Sequence, residues 1–288
     1  MNAFWSQFKQ SNTLNKLIYV NLAVFVVVKA VDIVLMVAGA HEPNPVVGFL
    51  AAYAGGHNLL THPWGVVTYM FLHQGFLHIL FNLLWLFWFG RIFSEYFTGR
   101  QLLNVYICGG IAGALLFILA FNAFDIFDAS VSMAIGASAA VYAIVLATAV
   151  YVPNYTVYVM FLGQVKIKWI ALFCVISDIA MLESGNAGGH IAHIGGAIFG
   201  ACYTLALRRG TDIAGWVGRI IDGISGLFHR KPKMKVSYRR SESDYDYNAR
   251  KHNEQKEIDA ILDKIAKSGY NGLTEDEKRT LFRNSRNN

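Results

Sequence analysis

Between Leu17 and Leu207 the chain carries five basic residues, Lys29, Arg91, Arg100, Lys166 and Lys168, and the stretches between them are apolar. A membrane-spanning helix needs about 20 mostly apolar residues. Six segments meet or approach that length, at 17–39, 74–93, 101–122, 132–151, 168–184 and 188–207. The fifth is the shortest. Soluble domains are roughly a quarter charged. Here the charged fraction is 15% and the hydrophobic fraction 55%, so lipid is the expected solvent.

The basic residues also orient the segments, because Lys and Arg collect in cytoplasmic loops. Lys9 and Lys16 precede the first segment, Arg91 and Arg100 follow the second, Lys166 and Lys168 open the fifth, and Arg208 and Arg209 follow the sixth. None occurs from Ala30 to Gly90 or from Gln101 to Val165. The alternation fits an even number of spans with both termini cytoplasmic. The expected fold is all-α: a polytopic six-helix membrane bundle with a cytoplasmic helical tail. Its expected parts are a membrane domain over 1–208, an amphipathic surface helix with a basic segment over 209–236, and a flexible polar linker with a small two-helix module over 237–288. No cleavable signal peptide and no nucleic-acid partner are expected. Cys108, Cys174 and Cys202 lie too far apart for a local metal motif and read as packing residues.

Polar groups inside spans are costly and point to function or pairing. Lys29 and Asp32 are three apart in the first span and read as a bundle-facing ion pair. In the second, His78 and Asn82 share one helix face; in the fourth, Ser138 and Tyr142 do; the sixth holds His190 and His193. All three of these spans run the same way. His78, Ser138 and His193 lie four to six residues from their starts, roughly 6–9 Å deep at 1.5 Å per residue. Gly196 and Gly200, and the stripe Ala139, Ala143 and Ala147, let helices approach closely. A serine is a poor nucleophile until a base takes its proton, and His193 is the candidate base. Oxyanion stabilisation needs fixed donors, which the Asn82 amide, the His78 ring and the Ser138 backbone N–H supply. No carboxylate is spaced in sequence to orient His193, so the expected machinery is a dyad supported by the Tyr142 ring.

These residues resemble the rhomboid family of intramembrane serine proteases. The run Thr68 to Asn82, containing His73, His78 and Asn82, resembles the family's second-helix signature. Gly136-Ala137-Ser138 resembles its Gly-x-Ser nucleophile motif, and Ala192-His193-Ile194-Gly195-Gly196 its Ala-His-x-x-Gly base motif. The resemblance covers about residues 15–208 and implies a rhomboid-like bundle without cofactor or metal, embedded in a membrane, for which a bacterial inner membrane is expected. It implies Ser138 as nucleophile, His193 as base, an oxyanion hole of His78, Asn82 and the Ser138 backbone, Tyr142 beneath the histidine, and Gly136, Gly196 and Gly200 in helix packing. Its implied substrates are single-pass or polytopic membrane proteins cut near the outer face. Two departures are Ala139, where the family has Gly, and the absence of a Trp-Arg pair in the first outer loop. Two other readings stand beside this one: a non-catalytic binder of transmembrane helices, and a channel, metal or haem protein using the intramembrane histidines.

Outside the bundle, the loop 41–73 holds His57, His62 and His73, which read as surface or interfacial histidines. Ile213, Trp216, Val217, Ile220, Ile221 and Ile224 repeat at helical spacing. With Arg219 and the cluster Arg230, Lys231, Lys233, Lys235, Arg239 and Arg240 they predict a helix lying on an anionic leaflet. Residues 237–252 read as flexible. Ile258, Ile261, Leu262 and Ile265 mark a further helix, and Thr274 with Glu277 is a capping-box pattern.

Overall fold

The computed structural model describes residues 8, 10–130, 132–160, 162–183, 185–228 and 244–285. Contacts divide the chain into two compact units, residues 1–230 and 231–288.

Four helices in the first unit are long and apolar enough to cross a bilayer: α1 (Thr13–Val37), α5 (Phe76–Tyr96), α6 (Gly99–Ala123) and α9 (Ala187–Arg208). Two of the six expected spans form shorter helices of 14 residues, α7 (Ser138–Tyr151) and α8 (Ile167–Ala180). Fourteen residues rise about 21 Å, less than the roughly 30 Å of a hydrocarbon core. The expected segment 132–151 is helical only from Ser138. Its first part is extended and includes β2 (Met133–Ala134). Apolar runs fit helix and buried strand alike, and Gly136, at φ +123°, ends any helix that would begin earlier.

α7 is the centre of the bundle. Nine of its residues, including Ala139, Ala143 and Ala147, are buried, and α6 and α9 pack against it. The packing is backbone on backbone. A Cβ on Gly196 would lie 2.0 Å from the Ala139 carbonyl oxygen, and one on Gly200 2.1 Å from that of Ala143. On the α6 side, a Cβ on Gly109 would lie 2.2 Å from the Ala143 methyl. Thr204 Oγ1 donates to the Ala147 carbonyl at 2.9 Å, adding a polar tie between α9 and α7.

Large apolar side chains point away from this core: Val34 and Met36 on α1, Phe76 and Trp88 on α5, Leu119 on α6, Phe173 on α8 and Ile198 on α9 are all exposed. A contiguous apolar surface of this kind suits lipid rather than water. Lys29 Nζ donates to Asp32 Oδ2 at 2.8 Å, as expected of the pair. Both side chains are about a third exposed. Asn44 donates to Asp32 Oδ1 at 2.6 Å and to the Val28 carbonyl at 3.0 Å, tying the pair to the following loop.

That loop is built from short pieces: α2 (Pro45–Leu50), β1 (Ala52–Tyr53), α3 (Gly56–Thr61), α4 (Gly65–Thr68) and a 3-10 turn (Tyr69–Phe71). β1 pairs antiparallel with β2, Ala52 opposite Ala134. Between α7 and α8 a hairpin of β3 (Thr156–Val159) and β4 (Gly163–Lys166) was not expected. α10 (Gly215–Phe228) follows α9. Val217 is buried against the core, while Trp216, Ile220, Ile221 and Ile224 are exposed, and Asp222 accepts from Arg100. The basic cluster from Arg230 to Arg240 lies outside the described residues.

The second unit holds α11 (Asp244–Ser268), a 3-10 turn (Tyr270–Gly272) and α12 (Glu275–Ser285). The stretch expected to be flexible is therefore helix from Asp244 onward. Ile261 and Leu273 are buried where the helices meet. The capping box forms: Thr274 N–H donates to Glu277 Oε2 at 2.7 Å, and Glu277 N–H donates to Thr274 Oγ1 at 3.4 Å.

Candidate active site

The approach to Ser138 is fixed by hydrogen bonds before the helix begins. Ala54 N–H donates to the Ser132 carbonyl, and Gly136 N–H donates to the Tyr69 carbonyl at 3.0 Å. Ala137 N–H donates to His73 Nε2 at 3.4 Å. His73 is fully buried, so the expectation of a surface histidine is corrected for it. Its imidazole accepts a backbone N–H that an apolar side chain would leave unmet. The 3-10 turn is itself anchored, since Tyr69 donates its hydroxyl to the Gly110 carbonyl at 2.7 Å and Tyr106 donates to that of Met70 at 3.1 Å.

This scaffold delivers Ser138 as the first residue of α7, not several residues inside a helix as the sequence suggests. The first backbone N–H groups of a helix lack intrahelical acceptors, and they are electropositive. Gly136 is likewise not a helix-packing residue. It takes a left-handed turn two residues before Ser138, and a Cβ there would lie 2.8 Å from both Cε1 and Nε2 of His78 and 3.8 Å from Ser138 Oγ. The glycine thus leaves room for the His78 ring beside the serine. His78 stands in the first turn of α5 and contacts His73, ring centroids 5.0 Å apart. Asn82, one turn on, is buried and donates one amide hydrogen to the His78 carbonyl at 2.8 Å.

Ser138, His193, His78, Asn82 and Gly136 line one cavity of about 1020 Å³, together with apolar residues such as Phe81, Phe117, Met133 and Leu182. Among the described residues no hydrogen bond joins Ser138 Oγ to His193; such bonds are often loose without substrate. The Tyr142 ring stacks on His193 at 4.6 Å and 17°. The Ala139 methyl rests against α6, where a Cβ on Gly113 would come within 2.5 Å of it.

The expectation that no carboxylate orients His193 is corrected. Asp178, in the last turn of α8, is buried, and its Oδ1 accepts from His193 Nδ1 at 2.9 Å and from His190 Nδ1 at 2.7 Å. The two residues that meet are 15 positions apart and on different helices, so no spacing rule joins them. The signal that was present is a carboxylate within an apolar span, which is costly without a partner. Asp178, His190 and His193 also offer three ligand atoms within 4.8 Å of one another, the right residue types for a divalent metal.

A model of the rhomboid domain matches residues 60–210, just over half of the 288-residue chain. The chain belongs to the rhomboid family. The matched region holds α4 to α9 and with them Ser138, His193, His78, Asn82, Tyr142 and Asp178. Residues 242–287, which include α11 and α12, match a family of unknown function, DUF6576. The chain is also similar to RHOMBOID-like protein 12, mitochondrial, of Arabidopsis thaliana, at 29% identity over 156 residues. The match covers half of this chain and 46% of that protein, so the chain spans about half the length of this relative.

Proposed function

We propose that this rhomboid is an intramembrane serine endopeptidase that cuts transmembrane segments of other membrane proteins near the outer face. The observation that carries the reading is the set of groups in one cavity: a serine at a helix N-terminus and a histidine whose Nδ1 side is engaged, with two further donors. Because His193 Nδ1 donates to Asp178, Nε2 keeps its lone pair. That nitrogen is the base that takes the Ser138 proton as Oγ adds to the scissile carbonyl carbon. The resulting oxyanion is stabilised by the Ser138 backbone N–H, the Asn82 amide and His78. The imidazolium then gives its proton to the leaving amine as the C–N bond breaks. Water, with its proton taken by His193, hydrolyses the ester and restores Ser138.

In this proposal α7 and α8 complete a six-span bundle with both termini cytoplasmic, and α10 lies on the lipid surface. The short α7 fits the chemistry, because its start and the cavity then lie below the membrane face, where water must enter. The extended 132–137 segment continues the crossing.

The test is cleavage of a transmembrane reporter in liposomes by the native chain, Ser138→Ala and His193→Ala. Cleavage by the native chain alone is expected. Absence of cleavage over several reporters would favour a rhomboid-like helix binder instead.

A further inference from the structure

Asp178 is expensive where it stands. A carboxylate in a membrane segment costs roughly 2.5–3.5 kcal/mol at a helix centre on insertion scales. The helix dipole also opposes a negative charge in the last turn. The residue is 4% exposed, so water does not offset that cost. Two imidazoles do, both through Oδ1. A carboxylate that served only to join α8 to α9 would need one donor. This one takes two, and one of them is the proposed base.

The geometry constrains His193 from two directions. Tyr142 stacks against its ring face, which limits tilt. Asp178 accepts from Nδ1, which fixes rotation about the Cβ–Cγ bond and selects the tautomer with a free Nε2. His190 lies at 85° to His193, ring centroids 5.9 Å apart, and bonds the same oxygen, so it holds the carboxylate in place. We propose that Asp178 is a positioning residue for the Ser138–His193 pair, giving a Ser-His-Asp triad assembled from α7, α9 and α8, with His190 as its brace. The proposal rests on the protease reading. Asp178 acts through His193 and touches no reacting atom. When His193 takes the serine proton the carboxylate faces an imidazolium, and no proton passes to Asp178.

The experiment is steady-state cleavage of a transmembrane reporter in liposomes by the native chain, Asp178→Asn, Asp178→Glu and His190→Gln. Asp178→Asn preserves shape but its amide donates to Nδ1 and selects the wrong tautomer. Its kcat is expected to fall about 10²–10⁴-fold, the upper figure being the loss for the equivalent change in a soluble serine protease. KM should stay within about threefold, and fluorophosphonate labelling of Ser138 should slow in parallel. Asp178→Glu is expected to recover at least about tenfold of the loss, because it restores an acceptor. His190→Gln, which keeps a donor but loosens the brace, should lower kcat by a smaller factor than Asp178→Asn. Reporter affinity of Ser138→Ala should not change when Asp178→Asn is added, which separates positioning from misfolding. The proposal is overturned if Asp178→Asn retains native kcat, or if its loss is all in KM or reporter affinity. It is equally overturned if the active native protein carries stoichiometric zinc that Asp178→Asn and His190→Gln both lose. A native chain that cuts nothing would fail the protease reading itself, and this proposal would fall with it.

Discussion

α9 meets two of its neighbours, α7 and α8, in opposite ways. Against α7 it removes side chains: Gly196 and Gly200 place their backbone where any Cβ would strike a carbonyl oxygen. Against α8 it adds them: two imidazoles converge on one buried carboxylate. The first contact gains dispersion from close approach, and it is how helices associate where lipid removes the hydrophobic drive. The second contributes little net stability, since burying a charge costs about as much as its partners return. The comparison teaches that the glycine seam sets how near α7 and α9 stand, and with it the distance between Ser138 and His193. The carboxylate cluster sets how the His193 ring points. Changes to the seam should therefore move stability first, and changes to the cluster should move kcat first.

The largest break in this scheme is at Gly196. Gly196→Val should prevent assembly of the α6–α7–α9 core. Gly196→Ala should cost about 1–3 kcal/mol, in the range of other overpacked sites, seen as a lowered unfolding midpoint in detergent. A stable, fully active Gly196→Val protein would contradict the seam. Next is Gly136→Ala, where the methyl meets the His78 ring at a left-handed φ. Strain of about 1–2 kcal/mol there should lower the unfolding midpoint about as much as Gly196→Ala does, and displacement of the His78 ring should in addition lower kcat/KM about tenfold.

A smaller effect sharpens the comparison. Ala139→Gly introduces the residue usual in the family but removes a methyl packed on Gly113. It should cost about 1 kcal/mol from helix propensity and lost contact, with kcat within about threefold, so the seam is tuned to this sequence's own pair of residues. The smallest effect lies in the second unit, remote in sequence from both contacts. Lys264 and the Thr274 cap hold the Glu277 carboxyl down at about 2 from an ordinary 4.5. A depressed carboxylate pKa contributes stability above the ordinary value, and that contribution fades as pH falls from about 4.5 toward 2. Amide protection in α12 of the full chain, taken relative to the intrinsic exchange rate at each pH, should fall over that window, and Glu277→Gln should show the lower protection already at pH 7.

Much of the site was legible because its residues come in helical pairs. His78 with Asn82 and Ser138 with Tyr142 are each four apart, and each pair lies on one helix. The long apolar helices α1, α5, α6 and α9 were legible for the same reason, and their bounds shift by a few residues. The start of α7 was not, because an apolar run is silent about whether it is extended, and the pairing of β2 with β1 is set by a residue run some 80 positions earlier. Asp178 and His73 escaped because each acts on a residue in another element. His73 meets Ala137 across 64 positions. Their chemical type was visible in the sequence; their partners belong to the fold.

The central claim is that Ser138 is a nucleophile made reactive by His193. It is tested most directly by treating the purified native chain and His193→Ala with a fluorophosphonate and mapping the adduct by mass spectrometry. The account predicts one adduct on the native chain, on Ser138, and none at that residue in His193→Ala. Equal labelling of Ser138 in both proteins, or no adduct on Ser138 in a native chain that still binds reporter helices, would contradict it.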